Sequence, residues 1–306
     1  MGKYILKRLG ISVLTIWALA TVCFFLLRSL PGNPFATEQL LKPEIQEKMM
    51  AYYGLDRPLF QQYLTYMGNL LKGDMGYSFK YVNRPVIQII KTTFPISADL
   101  GLRSLAIGYP LGLFLGTLAA RRRGKAADYI CVLIAVLGVS VPSFVVGSLM
   151  QWVFGIKMGV LPIAQWKGFS YSIMPTITLA ITTVASLART MRASMLEVSG
   201  QDYMKTAKAK GLSEKEIVWH HQIRNALIPI ITGLGPAVAS TLMGSFIVEQ
   251  LFAIPGIGKY FTESVQSLDY TTVLGLTVFF GIFLVSANFI VDILYGIIDP
   301  RIRVAD

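Results

Sequence analysis

The sequence predicts an all-α membrane protein with six transmembrane helices. Of its 306 residues, 54% are hydrophobic and only 15% are charged, and the mean hydropathy is +0.56. A soluble core of this size would carry more charge. Apolar stretches also recur that are long enough to cross about 30 Å of hydrocarbon as helices of roughly 20 residues. The six predicted spans are 9–27, 96–120, 129–154, 173–191, 229–248 and 272–295.

The basic residues predict how the chain is oriented. Residues 1–30 are predicted to be an N-terminal segment and the first span, because the apolar stretch is too long for a signal peptide and lacks a small-residue cleavage site. The net charge is +11, and its basic clusters fall on alternate connections. By the positive-inside rule, both termini, including the tail 296–306, are then cytoplasmic.

Residues 31–95 are predicted to form a small extracytoplasmic helical region. A short helix at 43–53 would end at Gly54, and Asp56 would cap a second helix with Pro58 near its first turn. An apolar stripe on the second helix predicts a packed helical cap, which serves as a lid over the outer membrane face or contacts a ligand. The stripe consists of Phe60, Tyr63, Leu64, Met67, Leu70 and Leu71.

Residues 96–295 are predicted to form a five-helix core. Gly108, Gly112 and Gly116 recur every four residues in the second span, which predicts that another helix backbone approaches closely there. Asp99 and Arg103 lie four residues apart near the outer end of this span, so they pair with each other or extend outward. Cys23 and Cys131 are interpreted as buried apolar residues.

Two outer connections carry candidate gate residues, and each has two interpretations. The interrupted aromatic segment around Trp166 lines an external vestibule or lies in the aromatic belt at the membrane surface. The Gly- and Pro-containing segment after the fifth span lines a gate or forms a structural external loop. The candidates in that segment are Glu249, Phe252, Pro255 and Gly256.

A basic polar segment interrupts the apolar pattern at 202–226. Lys205 to Lys210 are good helix formers, Gly211 suits a left-handed helix end, and Ser213 with Glu216 forms a capping box for a second helix. Pro229 ends that helix or starts the next one. The pattern is that of a loop, 199–228, which is a solvated connection or a docking surface.

Several motifs along the chain resemble those of ABC importer permeases. Ala207, Gly211 and the Leu-Ile-Pro ending at Pro229 match the EAA loop of that family, although Lys205 and Thr206 replace its first two letters. The local sequence is similar to the oligopeptide, dipeptide and nickel branch. Further matching motifs follow in order at 30–34, 53–58, 73–76, 140–144, 249–258 and 299–303.

The resemblance implies the permease subunit of a binding-protein-dependent importer of type I fold, most like the first permease subunit of an oligopeptide transporter. Its expected partners are a second homologous permease, two ATPase subunits, an extracytoplasmic peptide-binding protein, a peptide substrate and the bilayer of the bacterial cytoplasmic membrane. ATP and magnesium would bind the ATPase subunits. The residues expected to couple to the ATPase are Asp202, Lys205, Thr206, Ala207, Lys208, Lys210, Gly211, Leu212, Arg224 and Pro229.

The sequence predicts that the chain is not itself an enzyme and holds no cofactor or metal. Its Gly258-Lys259 pair lacks the spacing of a phosphate-binding loop, and adjacent His220 and His221 lack metal-ligand spacing. The two-helix pattern at 202–226 could suggest a DNA reader, but its position between spans argues against nucleic acid. The alternatives are a dipeptide or nickel-complex permease, a secondary transporter, and a membrane scaffold that transports nothing.

Overall fold

The structure is a computed structural model that describes residues 2–29, 54–81 and 84–298. The predicted helix at 43–53 and the tail beyond residue 298 lie outside these residues. In chain order, the helices of the described part are α1 (Gly2–Ser29), α2 (Leu59–Leu71), α3 (Val86–Arg121), α4 (Ala126–Ser140), α5 (Ser143–Met150, continued by the π-helix Gln151–Lys157), α6 (Phe169–Ser199), α7 (Asp202–Ala209), α8 (Glu214–Glu216, continued by the π-helix Ile217–Ile223), α9 (Arg224–Ala226), α10 (Ile228–Thr232), α11 (Leu234–Leu242), α12 (Phe246–Leu251), α13 (Ile257–Gln266) and α14 (Tyr270–Ile298).

The described helices supply four to six membrane spans. α1, α3, α6 and α14 are each long and apolar enough to cross a membrane, and two bent helix pairs complete six if each pair counts as one span. The all-helical membrane fold is therefore confirmed. α3 begins at Val86, well before the predicted span start at residue 96, and continues through Pro95 and Pro110.

The predicted span at 129–154 is not a continuous helix. The chain bends by 99° between α4 and α5. Pro142 lacks an N–H group and disfavours helical geometry at the residue before it, and Val141 is indeed extended. The predicted span at 229–248 is also bent, by 51°, at a break beside Gly233.

The centre of the fold is the contact between α3 and α6. A methyl group built at Gly116 would lie 2.6 Å from the Ala188 carbonyl oxygen, and one at Gly108 would lie 2.8 Å from Thr183 Cγ2. Only glycine therefore permits this approach of the two backbones. The predicted role of the glycine row in helix packing is confirmed.

α2 differs from its prediction in two respects. Its N-cap residue is Pro58, so Asp56 does not cap it. Of the apolar stripe, Tyr63 faces α1, where its hydroxyl lies 2.9 Å from Thr21 Oγ1, whereas Leu64 and Leu71 are 54% and 87% exposed. One part of the stripe therefore packs against α1, and the other part is exposed. The stripe does not form a packed cap with the described residues.

Candidate functional site

The loop 199–228 contains the helix–turn–helix that the sequence predicts. α7 has Asp202 in its first turn and Lys208 in its last turn, where each complements the helix dipole. Gly211 follows with φ +77°, in the left-handed region that favours glycine. A side chain at this position would meet no atom within 4 Å. The requirement for glycine here is therefore conformational.

The second helix of the loop opens with the predicted capping box. Ser213 Oγ accepts a hydrogen bond from the Glu216 backbone N–H at 3.3 Å, and Glu216 Oε2 accepts one from the Ser213 N–H at 2.9 Å. The helix then widens into the π-helix Ile217–Ile223. π-helical turns are rare and are frequent at functional sites.

α7 is held to its own chain by an apolar face. Met204 and Ala207 are buried in a cluster with Met191 and Met195 of α6, and half-buried Leu212 packs against the same cluster. Ala207 was expected to pack in the joint with an ATPase, but it packs within this chain, since its side chain is only 5% exposed. The same cluster contains Ile217 of the π-helix, so α7 packs against that helix as well.

Gln222 ties the returning helix to α6, and the sequence analysis did not find it. Its Nε2 donates to the Met195 carbonyl at 3.1 Å and to Ser199 Oγ at 2.5 Å. No local pattern could have indicated this contact, because the partners are more than twenty residues apart in the chain. The loop is therefore fixed to α6 by a buried hydrogen bond as well as by apolar packing.

The other face of α7 is exposed and basic. Lys205, Lys208 and Lys210 are exposed, and Lys205 Nζ lies 2.8 Å from Asp202 Oδ1. Two further predicted coupling residues, Thr206 and Arg224, are also exposed. Pro229 lies in the first turn of α10, so it starts a helix. His220 is exposed, and the described residues contain no group of side chains suited to hold a metal ion.

Glu249 is wholly buried rather than open to a passage. Its Oε1 accepts a hydrogen bond from the Ser97 hydroxyl at 2.6 Å, and its Oε2 accepts one from the Gly258 N–H at 2.9 Å. Ser97 Oγ also accepts from the Ile257 N–H at 2.9 Å. The carboxyl group therefore joins α3, α12 and the first turn of α13.

Glycines make room for this carboxyl group. A methyl group at Gly244 or at Gly256 would overlap the Glu249 carboxyl, and Gly244 also has φ +86°. Gly256 is thus part of the enclosure around Glu249. Of the predicted gate residues, Glu249 and Gly256 are therefore enclosed by their own chain, and both interpretations of this segment stay predictions.

Phe252 and Trp166 belong to one apolar cluster beside that enclosure. Phe252 is 1% exposed, its carbonyl accepts from the Gln165 N–H at 2.7 Å, and Trp166 packs against the same cluster. Pro255 is exposed. In this structure the side chains of Phe252 and Glu249 do not line an open passage, because both are enclosed by their own chain. The predicted local pair of Arg103 Nε with Asp99 Oδ1 is confirmed at 2.9 Å.

A second polar cluster at this end joins the segment before α3 to the start of α14. Asp269 is buried; its carboxylate accepts hydrogen bonds from the Ser78 hydroxyl, from Thr272 Oγ1 at 2.7 Å and from the Thr272 N–H at 3.1 Å. Asp269 is thereby the cap of α14. Sequence reasoning did not find this cluster.

Glu263 on α13 extends the same connection towards the surface. Burial alone would raise its pKa, but hydrogen bonds from Tyr81 and Lys80 outweigh that effect and hold the pKa of Glu263 below its usual range. Burial and the bond to Glu263 raise the pKa of Tyr81. The pair therefore prefers a charged carboxylate beside a neutral phenol.

Two family models match the chain. The binding-protein-dependent transport system inner membrane component matches residues 108–304, which include α6, the loop 199–228 and α14. The N-terminal model of the same transport system membrane component matches residues 1–101.

Relatives of the full length of this chain are permeases. It is 43% identical to the dipeptide transport system permease protein DppB of Lactococcus lactis, over 99% of this chain and 100% of the relative. It is 44% identical to the oligopeptide transport system permease protein OppB of Haemophilus influenzae, with the same coverage. The OppB protein of Escherichia coli is 38% identical over 99% of this chain and 100% of its own.

A solved structure shows the same fold. The crystal structure of an amino acid ABC transporter with histidines superposes with a TM-score of 0.54 at 15% identity, covering 67% of this chain and 92% of that one. The resemblance inferred from the motifs is confirmed. The chain belongs to the binding-protein-dependent transport system inner membrane components, and it is a multi-pass permease subunit of an ABC importer of the oligopeptide and dipeptide branch.

Proposed function

We propose that this chain forms half of a passage for oligopeptides through the cytoplasmic membrane, and that its loop 199–228 couples the passage to ATP hydrolysis on a separate ATPase subunit. The observation that carries the proposal is the two-sided α7. One face is buried against α6 through Met204 and Ala207, and the other presents Lys205, Lys208 and Lys210 to solvent. A surface of this kind suits docking into an acidic cleft.

The contacts of the loop supply a route for coupling. Gln222 and the apolar cluster fix α7 and the π-helix Ile217–Ile223 to the end of α6. α6 in turn touches α3 through the glycine row. Closure of an ATPase pair would therefore displace the loop, α6 and α3 together and expose the passage first on one side and then on the other.

The expected assembly has this chain beside a second homologous permease, with two ATPase subunits that bind ATP and magnesium and an extracytoplasmic peptide-binding protein. Both termini lie in the cytoplasm. The basic side chains of Lys7 and Arg8 before the first span, and of Arg121 to Arg123 at the end of α3, support this orientation under the positive-inside rule.

The names of the relatives support a peptide cargo but divide on its length. One 43% identical relative is named for dipeptides and one 44% identical relative for oligopeptides. A wet passage that tolerates varied side chains would serve either cargo if selection resides in the binding protein. Dipeptides are thus the second candidate.

The test is ATP-dependent uptake by the assembled complex in liposomes. Labelled dipeptides, longer peptides and a nickel complex are offered in parallel, and an ionophore that collapses ion gradients separates an ATP-driven importer from a secondary transporter. We expect entry of peptides that needs ATP and survives the ionophore. Uptake that follows the ion gradient, or assembly without flux of any of the three, would contradict the proposal.

Charge reversal tests the role of α7. Lys208→Glu with Lys210→Glu is expected to lower peptide uptake at least tenfold, about 1.4 kcal/mol of lost docking. The matched control is Lys72→Glu with Lys167→Glu, which reverses two exposed lysines outside the loop. If both pairs leave uptake and complex assembly unchanged, α7 is not the coupling surface.

A further inference from the structure

We propose that the groove between the end of α3 and the π-helix Ile217–Ile223 binds a phospholipid with an anionic headgroup. The groove has a volume of about 620 Å³. One wall is formed by Leu113 and Phe114 of α3, and the other by Val218 and Ile223 of the π-helix. An acyl chain is the ligand that such apolar walls suit at membrane depth.

Two arginines lie at one end of this groove. Arg121 and Arg122 both line it and are exposed. Within the part of the chain that the structure describes, neither forms a salt bridge, whereas Arg192 nearby binds both carboxylate oxygens of Asp128 at 2.7 and 2.9 Å. The groove therefore combines an apolar floor with two uncompensated guanidinium groups, which bind phosphate in a bidentate manner.

The length of the groove fits one membrane leaflet. Its lining on α3 runs from Pro110 to Arg122. At a rise of 1.5 Å per residue this distance is about 18 Å. Half of a hydrocarbon core of about 30 Å is roughly 15 Å. A lipid with its headgroup at the arginines would therefore lay an acyl chain along the whole groove.

Trp219 marks the level of the headgroup. It lines the groove, is 66% exposed, and stands in the π-helix, ahead of the span predicted at 229–248. Tryptophan is enriched at the membrane–water interface because its ring is apolar and its N–H is polar. Basic pockets on the cytoplasmic side bind anionic headgroups. The inference rests on the proposed function only in placing this end of α3 on the cytoplasmic side.

A lipid in this groove would touch the element that carries α7. The π-helix Ile217–Ile223 forms one wall of the groove and is joined through Gln222 to the end of α6. An anionic lipid would thus hold the π-helix against α3 and stabilise the position of the loop 199–228. Lipid composition would thereby affect coupling without a change in the cargo.

Quenching of Trp219 fluorescence tests the site in the assembled complex. The complex is placed in vesicles that contain either brominated phosphatidylglycerol or brominated phosphatidylcholine, and the signal of Trp219 is taken as the difference from Trp219→Phe. We expect stronger quenching by the anionic lipid. Replacing each groove arginine should lower the relative affinity for it about fivefold, since a basic residue near an anionic surface contributes about 1 kcal/mol.

The chain offers a matched control. Arg121→Gln with Arg122→Gln removes two charges inside the groove, and Arg123→Gln with Lys125→Gln removes two exposed charges outside its lining. The first pair should abolish the preference and the second should leave it within about twofold, because general surface attraction changes equally in both. Equal effects of the two pairs would overturn the inference.

Protection of Trp219 from both lipids would also overturn it, since another subunit would then cover the groove. The quenching needs neither cargo nor ATP. Loss of peptide uptake with an intact preference for phosphatidylglycerol would therefore count against the proposed function alone.

Discussion

The two ends of this permease are held by opposite means. At the end opposite the loop 199–228, which is the outer end in the proposed orientation, the acidic side chains Glu249 and Asp269 are turned inward and are fully buried. In the loop 199–228, apolar Met204 and Ala207 are turned inward, and the lysines of α7 face solvent. Ionisable side chains are thus buried at one end of the fold and exposed at the other, where apolar side chains are buried instead.

Buried polar groups and exposed charges have different physical consequences. Buried polar groups with several partners specify one geometry, because any rearrangement leaves a donor or acceptor unsatisfied. Exposed charges contribute little to stability and remain available to another surface. We therefore expect substitutions at the outer end to act on folding and substitutions in the loop to act on transport.

The largest effect is expected for Glu249→Ala. It leaves the Ser97 hydroxyl and the Gly258 N–H without their acceptor in a buried site, so the free energy of unfolding should fall by about 3 kcal/mol. Denaturant unfolding of the purified chain in detergent, followed by circular dichroism, measures this. Glu197→Ala on the exposed end of α6 is the control and should change it by no more than about 0.5 kcal/mol.

The two ends are compared directly by Asp269→Ala and Asp202→Ala. Asp269 caps α14 and accepts from Ser78, so its loss should cost about 2 kcal/mol of unfolding free energy. The side chain of Asp202 is 94% exposed and pairs with Lys205, which is itself exposed, so its loss should cost about 0.5 kcal/mol or less. Equal costs in the same denaturation assay would break the distinction between the two ends.

A smaller loss of stability, but a larger loss of transport, is expected for Gly211→Val. A β-branched residue at φ +77° is strained by about 1–2 kcal/mol. Gly211→Asn is the matched variant, because asparagine tolerates the left-handed region. ATP-dependent uptake should fall with valine and be largely retained with asparagine; the reverse order would show that the turn does not control coupling.

The smallest effect concerns pH. Because Lys80 and Tyr81 depress the folded-state pKa of Glu263, this carboxylate stabilises the fold above its unfolded pKa, and that stabilisation is lost as the pH falls through the folded value. Unfolding curves between pH 6 and about 3 should therefore show a decline that Glu263→Gln lacks, beyond the general acid effect. Parallel curves for both proteins would contradict this assignment.

Local rules accounted for the loop better than for the outer end. Gly211 and the Ser213–Glu216 box involve residues close in sequence, and the row from Gly108 to Gly116 has a helical period, so each can be inferred without knowledge of the fold. Glu249 and Ser97 are joined across 152 positions of the chain. No sequence pattern specifies such a pair.

Hydropathy also misplaced some helix boundaries. It predicted one helix across Val141 and Pro142 because both flanks are apolar, but backbone sterics at proline decide the bend there. It started α3 too late because Gln88, Lys91 and Thr92 lower the hydropathy of the first turns. These side chains are exposed, whereas Val86, Ile89 and Ile90 of the same turns are buried. The motif predicted Ala207 as a coupling residue, but it could not indicate that this side chain packs against residues of its own chain.

The glycine row between α3 and α6 has a mechanical consequence. From Gly108 to Gly116 the two helices touch backbone to backbone over about 12 Å of axis. Rotation or sliding of one helix against the other requires that they first separate, because the α6 backbone lies in the groove that the glycines leave on α3. We therefore expect α3 and α6 to move as one rigid body, so that a displacement at the end beside the loop 199–228 is carried along both helices.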